Sequence, residues 1–218
     1  MKRYSVSKRF GWEGPLSEKA GQVCRMFGLS LKQLGEKAIT HECSVEINEG
    51  DIVYITGPSG SGKSVLLREL EKAVPARERI NLDKIALARE RTVIDCIEGD
   101  FLEGLKALST AGLNDVYCVL GRPANLSDGE KWRFRLAVAL ARKKRFIFAD
   151  EFCSNLDRVS AAVISYNIRK FAKRQGVTFV LASGQEDILR DLRPEVLVVK
   201  ELAGPAEVIY KQRRVGSG

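Results

Sequence analysis

Two spacings of hydrophobic residues alternate along the chain, one typical of strands and one typical of helices. The short apolar runs that predict strands are ECSVEIN, IVYIT, IALA, TVIDCI, VYCVL, FIFAD, TFVLA, VLVVK and EVIY. Apolar residues at helical spacing predict helices over SVLLRELEKAV and over 100–111, 128–143, 158–174 and 186–192. Strands that alternate with helices favour an α/β fold with a mostly parallel sheet flanked by helices, and the strands near the N-terminus add a small antiparallel β flank.

The N-terminal part of the chain has a different pattern. Residues 1–38 are predicted to form a basic, partly helical extension. A helix is expected over 18–38, with apolar residues on one face and a break near Gly28. The remaining residues, 39–218, are predicted to form the main domain.

Composition excludes several classes of protein. The 218 residues suit one domain, and 44% hydrophobic with 29% charged residues exclude global disorder. No apolar run approaches the roughly 18 residues of a membrane span, and no apolar stretch follows the basic N-terminus as in a secretory signal. Five scattered cysteines and one histidine, His41, disfavour a disulfide framework, a histidine-rich metal site and a Ser-His-Asp triad. We therefore expect a cytoplasmic protein without direct membrane insertion, and we assign His41 no function.

A glycine-rich loop between a predicted strand and a predicted helix fits the pattern G-x-x-x-x-G-K-[ST] throughout. Its residues are Gly57, Pro58, Ser59, Gly60, Ser61, Gly62, Lys63 and Ser64, with Val65 next in the helix. Successive N–H groups of such a loop can face one anion, and the helix N-terminus adds partial positive charge. We expect Lys63 to reach the β- and γ-phosphates of a nucleotide and the Ser64 hydroxyl to ligate Mg²⁺.

A second candidate element is an apolar strand, RFIFA, that ends in two carboxylates, Asp150 and Glu151. The carboxyl ends of parallel strands form the crevice in which α/β sheets bind ligands. Asp150 can therefore hold the Mg²⁺ opposite Ser64. Glu151 is then free to polarise a water for in-line attack on the γ-phosphate.

Between these two elements, the sequence LSDGE at 126–130 directly precedes the helix KWRFRLAVALARK. It resembles the LSGGQ signature of ABC-type ATPases, and the segment SNLD at 154–157 is similar to the D-loop of that family. The resemblance covers about residues 40–200, with the motifs in the family's order. It implies a P-loop NTPase fold with a short helical subdomain, and ATP and Mg²⁺ as ligands.

In this family two domains dimerise head to tail and enclose two ATP molecules between them. The resemblance implies that Ser127, Asp128, Gly129 and Glu130 face the nucleotide held by a second copy, and that Asp157 lines the seam. The residues by themselves also predict a capping box between Ser127 and Glu130. The two interpretations are compatible, because a capped helix N-terminus is also an anion site.

The signature departs from the family pattern at two positions. Asp128 replaces a glycine and places a carboxylate near a phosphate, which it would repel. Glu130 replaces a glutamine and adds further negative charge, although the cap can use it.

Two family residues are missing elsewhere. No glutamine occurs between Gln33 and Gln175, so the Q-loop glutamine is absent, and Asp95 or Glu90 is expected near its place. The switch histidine after TFVLA is also absent, and Gly184 or Gln185 occupies that position. Since an amide cannot carry a proton as imidazole does, hydrolysis is predicted to be slow.

The sequence leaves the partner of this ATPase open. The stretch between the phosphate loop and the signature is short for a transporter, and the missing Q-loop glutamine also disfavours transport. The run IDC…LSDGE…ADEFCS…LDR resembles soluble ABC-type ATPases that are fused to predicted acetyltransferases, so an acetyltransferase-like partner is expected as a separate chain. A non-catalytic ATP-sensing switch and a transporter subunit stay as alternatives.

Positive charge and aromatic residues suggest two further ligand contacts. The formal net charge of +8 and basic segments make nucleic-acid binding a candidate function, the segments being 2–9, 142–145, 169–174 and 211–214. One upstream aromatic residue is expected to stack on adenine, as in the family. The candidates are Tyr4, Phe10, Trp12 and Phe27.

Overall fold

The strands of the chain form two sheets in the computed structural model, which describes residues 1–11, 14–36 and 39–211. The strands are β1 (Lys2–Phe10), β2 (Ile39–Ile47), β3 (Ile52–Thr56), β4 (Arg79–Asn81), β5 (Phe146–Ala149), β6 (Thr178–Ala182), β7 (Val196–Val199) and β8 (Glu207–Tyr210). The helices are α1 (Glu18–Met26), α2 (Leu31–Glu36), α3 (Lys63–Ala73), α4 (Phe101–Thr110), α5 (Val116–Leu120), α6 (Asp128–Ala141), α7 (Arg158–Gln175) and α8 (Leu189–Leu192). Short 3₁₀ turns lie at Ala76–Glu78, Leu82–Lys84, Ile94–Cys96 and Pro123–Asn125.

The larger sheet has six strands in the order β4-β5-β6-β3-β7-β8. Its first five strands are parallel, and β8 runs antiparallel to β7 at the edge. The predicted α/β fold with a mostly parallel sheet and a small antiparallel flank is therefore confirmed. This strand order brings the carboxyl ends of β3, β5 and β6 to neighbouring positions, where the phosphate loop, the acidic pair and the switch position begin.

Helices cover both faces of this sheet, so its central strands are buried on both sides. All five residues of β3 are buried. Because successive side chains of a strand point to opposite faces, Val53 and Ile55 pack with α3 and β2, while Ile52 and Tyr54 pack with α6 and α7. A strand buried on two faces reads as a continuous apolar run, which is why IVYIT shows no alternation.

The small sheet is built from the segment predicted as an extension. β1 pairs antiparallel with β2 over all nine residues, from Lys2 opposite Ile47 to Phe10 opposite Ile39. Tyr4 lies in the same buried cluster as Val45 and Leu67. Its hydrogen bonds and its packing therefore join β1 to β2 and to the buried cluster beneath it.

Several predicted elements differ from those observed. The runs IALA and TVIDCI form no strand; the second holds the 3₁₀ turn Ile94–Cys96, and VYCVL is the helix α5. The Asp115 carboxylate accepts hydrogen bonds from the N–H groups of Tyr117 and Cys118 and so caps α5, a local cue that outweighs the β-branched composition. By contrast, the predicted helical stretch with a break near Gly28 is observed as α1 and α2, which Gly28 separates with a φ of +64°. The predicted helix over 186–192 is limited to α8, and β4 was not predicted.

In the part of the chain that the structure describes, no helix combines the length and the apolar character needed to cross a membrane.

Candidate nucleotide site

The phosphate loop connects β3 to α3, as the sequence predicts. Gly57, Gly60 and Gly62 have φ values of +139°, +79° and +97°, in the region that favours glycine. A Cβ on Gly57 would overlap the carbonyl oxygen of Lys200, and Gly62 is the N-cap of α3. Glycine is therefore required here both by conformation and by close approach.

Lys63, the first residue of α3, folds back over its own loop. Its Nζ donates to the carbonyl oxygens of Gly57, at 2.8 Å, and Pro58, at 2.9 Å. The ammonium therefore stands over the loop that is expected to hold the phosphates. Within the loop, Ser61 is fully buried, whereas Ser64 lines the neighbouring cleft.

His41 is a residue of this site that the sequence did not reveal. It lies near the start of β2, is only 7% exposed, and its imidazole occupies the space that a Cβ on Gly62 would need. Burial, with a contribution from Lys200, lowers the pKa of His41, so a neutral ring supports the loop. No local sequence pattern predicts the contact between His41 and Gly62, because it depends on β2 passing beside the phosphate loop.

The acidic pair follows β5 and lines a cleft with Ser64, as predicted. Glu151 has a φ of +45°, an uncommon value for a residue with a side chain. The next residue fixes this turn, since Phe152 N–H donates to Ala182 O of β6 at 2.8 Å. The strained turn determines where the Glu151 carboxylate stands at the strand end.

Asp83 is another carboxylate at this cleft, beside the acidic pair, and was also missed. It follows β4, the strand beside β5, and its Oδ2 accepts a hydrogen bond from Asp150 N–H at 3.3 Å. Burial, with repulsion from Asp150 and Glu151, raises the pKa of Asp83. Finding it required β4, which is too short to predict from three residues.

The residues expected near the missing Q-loop glutamine lie elsewhere. The Asp95 carboxylate accepts from the Thr92 hydroxyl at 2.5 Å within its own turn. Neither Asp95 nor Glu90 lines the cleft of Ser64 and Asp150, whereas Asp83 does. The predicted placement of Asp95 and Glu90 is therefore wrong, because TVIDCI is a turn and not a strand that points at the site.

The signature residues form the predicted capping box at the start of α6. Glu130 Oε2 accepts from Ser127 N–H at 2.8 Å and from Ser127 Oγ at 2.7 Å, while Glu130 N–H donates to Ser127 Oγ. Cys118 Sγ also donates to Glu130 at 3.0 Å. These donors lower the pKa of Glu130 to about 2, so the carboxylate stays charged. Asp128 is exposed and pairs with Lys131 at 3.3 Å.

The D-loop lies against the signature. A Cβ on Gly129 would come within 3.3 Å of Asn155 O and of Leu156 Cδ2. Asp157 is the N-cap of α7 and accepts from Ser160 N–H at 3.0 Å. None of the residues 127–130 is among those that line the cleft of Ser64 and Asp150. Within one chain, the described residues thus place the signature and the phosphate loop at different sites.

The predicted switch position follows β6, between the acidic pair and the phosphate loop in the sheet order. A Cβ on Gly184 would lie 3.7 Å from Gly57 O, and Gln185 O accepts from the Tyr54 hydroxyl at 2.6 Å. Gln185 N–H donates to the Ser183 hydroxyl. The backbone of this segment is therefore held beside the phosphate loop.

Among the adenine-stacking candidates, Phe10 stands nearest the loop by contact. Its ring meets the His41 ring edge to face at 5.8 Å, Lys8 lies over it at 5.7 Å, and it is half exposed. Tyr4 is buried against Phe146 and cannot stack on a ligand. Trp12 lies outside the described residues, as do positions 212–214 of the C-terminal basic segment.

Comparison with known proteins agrees with this geometry. Residues 40–102 match the family model of the ABC transporter. A phosphonates import ATP-binding protein, PhnC 2 of Cupriavidus metallidurans, is 22% identical over 84% of this chain and 81% of its own length. A methionine import ATP-binding protein, MetN of Rhizobium etli, is 27% identical over 89% of this chain, which spans 63% of that protein.

Solved structures with the same fold include a dimeric bacterial ABC transporter cassette, MJ0796. It is 21% identical, with a TM-score of 0.66, over 83% of this chain and 95% of its own. A post-hydrolysis dimer of that cassette bound to ADP and Pi gives a TM-score of 0.65 at 21% identity, over 82% of this chain and 94% of its own. The fold defines the class: the chain has the P-loop NTPase fold of ATP-binding cassettes, and its residues 40–102 match the ABC transporter family model. Cassettes of this class are ATPases.

Proposed function

We propose that the chain is a Mg²⁺-dependent ATPase that works as a head-to-tail dimer. The observation that carries the proposal is the separation of two half-sites in one chain. The phosphate loop faces Asp150 and Glu151 across one cleft, while the signature caps α6 outside that cleft. A second copy would supply the signature to each cleft.

ATP would bind with its phosphates on the loop, where the α3 N-terminus and Lys63 supply positive charge. The oxygen donors of Ser64, Asp150 and Asp83 around one cleft suit Mg²⁺, which prefers hard oxygen ligands. The metal would neutralise phosphate charge. Burial is the main cause of the raised pKa of Asp83, and repulsion from Asp150 and Glu151 adds to it; a divalent cation between these carboxylates would relieve that repulsion.

Glu151 is the candidate general base. It would orient a water whose oxygen bonds to the γ-phosphorus as the bond to ADP breaks. Gln185 can hydrogen-bond the γ-phosphate but cannot take a proton, so we propose a slow enzyme. Ser127 and Gly129 of the second copy would contact the γ-phosphate, and Asp157 would line the seam.

ATP turnover over a range of protein concentrations tests the proposal. Specific activity should rise with concentration, because the active site forms only in the dimer. Lys63→Ala should abolish nucleotide binding, and Glu151→Gln should bind ATP and accumulate as a dimer without turnover. A Glu151→Gln variant that stays monomeric with saturating ATP would exclude the enclosed-nucleotide dimer.

A non-catalytic ATP-sensing switch is the second candidate. It is favoured by the exposed Asp128 carboxylate in the signature, which would repel the partner's γ-phosphate, and by Gln185 in the place of the histidine. Tight ATP binding without turnover above that of Glu151→Gln would support it. Asp128→Gly should then raise turnover.

The proposed ATPase could act on either of two kinds of partner. The names of the relatives, import ATP-binding proteins, support a membrane transport subunit, so that the chain would associate with a membrane peripherally. A soluble acetyltransferase-like partner rests on the sequence resemblance alone. Exposed apolar side chains on α4 and α5, namely Phe101, Leu102, Val116, Tyr117 and Leu120, provide a surface for either. Co-purification from membrane and soluble fractions with Tyr117→Glu as the control distinguishes the two.

A further inference from the structure

A groove of about 600 Å³ opens between α4, the C-terminal end of α6 and the second half of α7. We call it the basic groove and define it by six lining residues: Lys106, Lys143, Asn167, Lys170, Phe171 and Arg174. The signature and the D-loop stand at the opposite, N-terminal ends of α6 and α7. Twelve residues separate Asp128 from Leu140 on α6 and Arg158 from Lys170 on α7, so these parts of the groove lie about 18 Å along the helices from the signature and the D-loop.

The acidic residues of this groove are already paired. Glu103 contacts Lys143 at 2.9 Å, and Glu98 contacts Arg142 at 3.0 Å. Three cations stay exposed and, among the described residues, have no carboxylate partner: Lys106, Lys170 and Arg174. The groove therefore carries unbalanced positive charge.

Helices α4 and α7 position these three cations around the basic groove. Lys170 and Arg174 are four residues apart on α7 and share a face with Asn167 and Phe171. Asn167 Nδ2 donates to Thr110 O of α4 at 3.1 Å, which fixes the two helices together and brings Lys106 across the groove. Like charges at close range repel unless an anion lies between them.

The basic residues next to the groove, in contrast, have partners within the protein. Lys144 Nζ donates to Arg77 O, Arg145 approaches Glu49 and Glu78, and Lys173 pairs with Glu195 at 2.9 Å. The predicted basic segment 142–145 is thus engaged within the protein. The groove thus takes two of its cations from the basic segment 169–174, whereas the cations of segment 142–145 already have partners within the protein.

We propose that the basic groove binds the sugar-phosphate backbone of a single-stranded nucleic acid. Every nucleotide carries one phosphate, so successive phosphates meet the three cations in any register, and counterion release drives the association. An acidic peptide would need carboxylates at matching spacing. Asn167 can donate to phosphate oxygens, and the partly buried Phe171 provides an apolar floor for sugars and bases.

Fluorescence anisotropy with a labelled oligo-dT strand and the full chain, without ATP, tests this proposal independently of the proposed ATPase. Three phosphate contacts predict a slope of about −2 in log Kobs against log salt. Lys170→Glu with Arg174→Glu should weaken binding by roughly tenfold or more and flatten the slope. The matched control, Lys19→Glu with Arg190→Glu, makes the same change in net charge at two exposed cations on α1 and α8 and should leave binding nearly unchanged.

Three results would overturn the proposal. The first is a control variant that loses as much affinity as the groove variant, since general charge would then explain binding. The second is absence of oligo-dT binding at low salt by the folded chain. The third is an oligo-glutamate peptide that competes as well as the nucleic acid and is equally sensitive to the groove variant, which would assign the groove to an acidic protein.

Discussion

At the scale of single residues, the contact between His41 and Gly62 decides how the phosphate loop is supported. The imidazole fills the volume beside the glycine, and its Nδ1 has no hydrogen-bond partner among the described residues. Phe10 covers the other side of the ring. A residue of β2 therefore contacts the phosphate loop, and a residue of β1 packs against that residue.

Gly62→Ala should weaken ATP binding much more than Gly60→Ala. Both alanines would carry the strain of a positive φ, on the order of 1–2 kcal/mol, but only the alanine at Gly62 would also overlap His41. A Cβ on Gly60 meets no atom within 4 Å. Titration with a fluorescent ATP analogue measures both variants. Adding His41→Ala to Gly62→Ala should recover part of the affinity; no recovery would show that strain alone accounts for the loss.

At the scale of elements, α6 and α7 each connect a motif at the N-terminus to the basic groove at the C-terminus. Their N-caps are Ser127 and Asp157, and both caps belong to segments that are expected to contact a second copy. The capping box also fixes the direction in which the signature N–H groups point. Each of these helices therefore joins a segment that is expected at the dimer seam to the basic groove.

The capping box should stabilise the fold in a pH-dependent way. The folded-state pKa of Glu130 is lowered from 4.5 to about 2, so its contribution is fully present above pH about 4.5 and declines as pH falls toward 2. Glu130→Gln keeps a cap but removes the charge, so its difference from wild type in free energy of unfolding should shrink over this range. Urea unfolding at a series of pH values measures it.

Ser127→Ala separates the cap from the charge. It removes the oxygen that accepts from Glu130 N–H and should cost about 1 kcal/mol of unfolding free energy at neutral pH. A difference between wild type and Glu130→Gln that stays constant down to low pH would contradict the assignment of the lowered pKa to this cap.

At the scale of the whole molecule, the sheet order gathers the nucleotide half-site from distant parts of the chain. Asp83, Asp150 and Gly184 each follow a parallel strand, and the strands β4, β5, β6 and β3 are neighbours. The signature lies beside the D-loop and away from this cleft. In the dimer that we propose, two copies would face each other head to tail and each would complete the site of the other.

Mixing two inactive variants should restore turnover if the site is shared between copies. Lys63→Ala removes the phosphate loop lysine, and Ser127→Arg blocks the signature. A mixed dimer has one site with an intact lysine and an intact signature, so random mixing should recover about a quarter of wild-type activity. Turnover assays of each variant alone and of the mixture measure this. An inactive mixture in which the mixed dimer is shown to form would exclude the shared site.

Local patterns were sufficient for much of the fold and site. The phosphate loop, the acidic strand end and the capping box each depend on residues within a few positions, so spacing alone predicts them. The strands IALA, TVIDCI and VYCVL were wrong because short apolar runs fit a strand, a turn or a short helix equally well. Which of these structures such a run forms depends on caps such as Asp115 and on the space between neighbouring elements.

The sequence by itself determined the class of chemistry that we propose. It predicted a loop that can hold phosphates, two carboxylates that can serve a metal and a water, and a capping box at the signature. The tertiary structure alone decided that Asp83 and not Asp95 joins the cleft, that His41 supports Gly62, and that three cations share one groove. The physical reason is contact range. Hydrogen bonds between residues close in sequence can be predicted from the order and spacing of those residues. The contacts of Asp83, of His41 and of the groove cations join strands and helices that are far apart in sequence and meet only in the folded sheet.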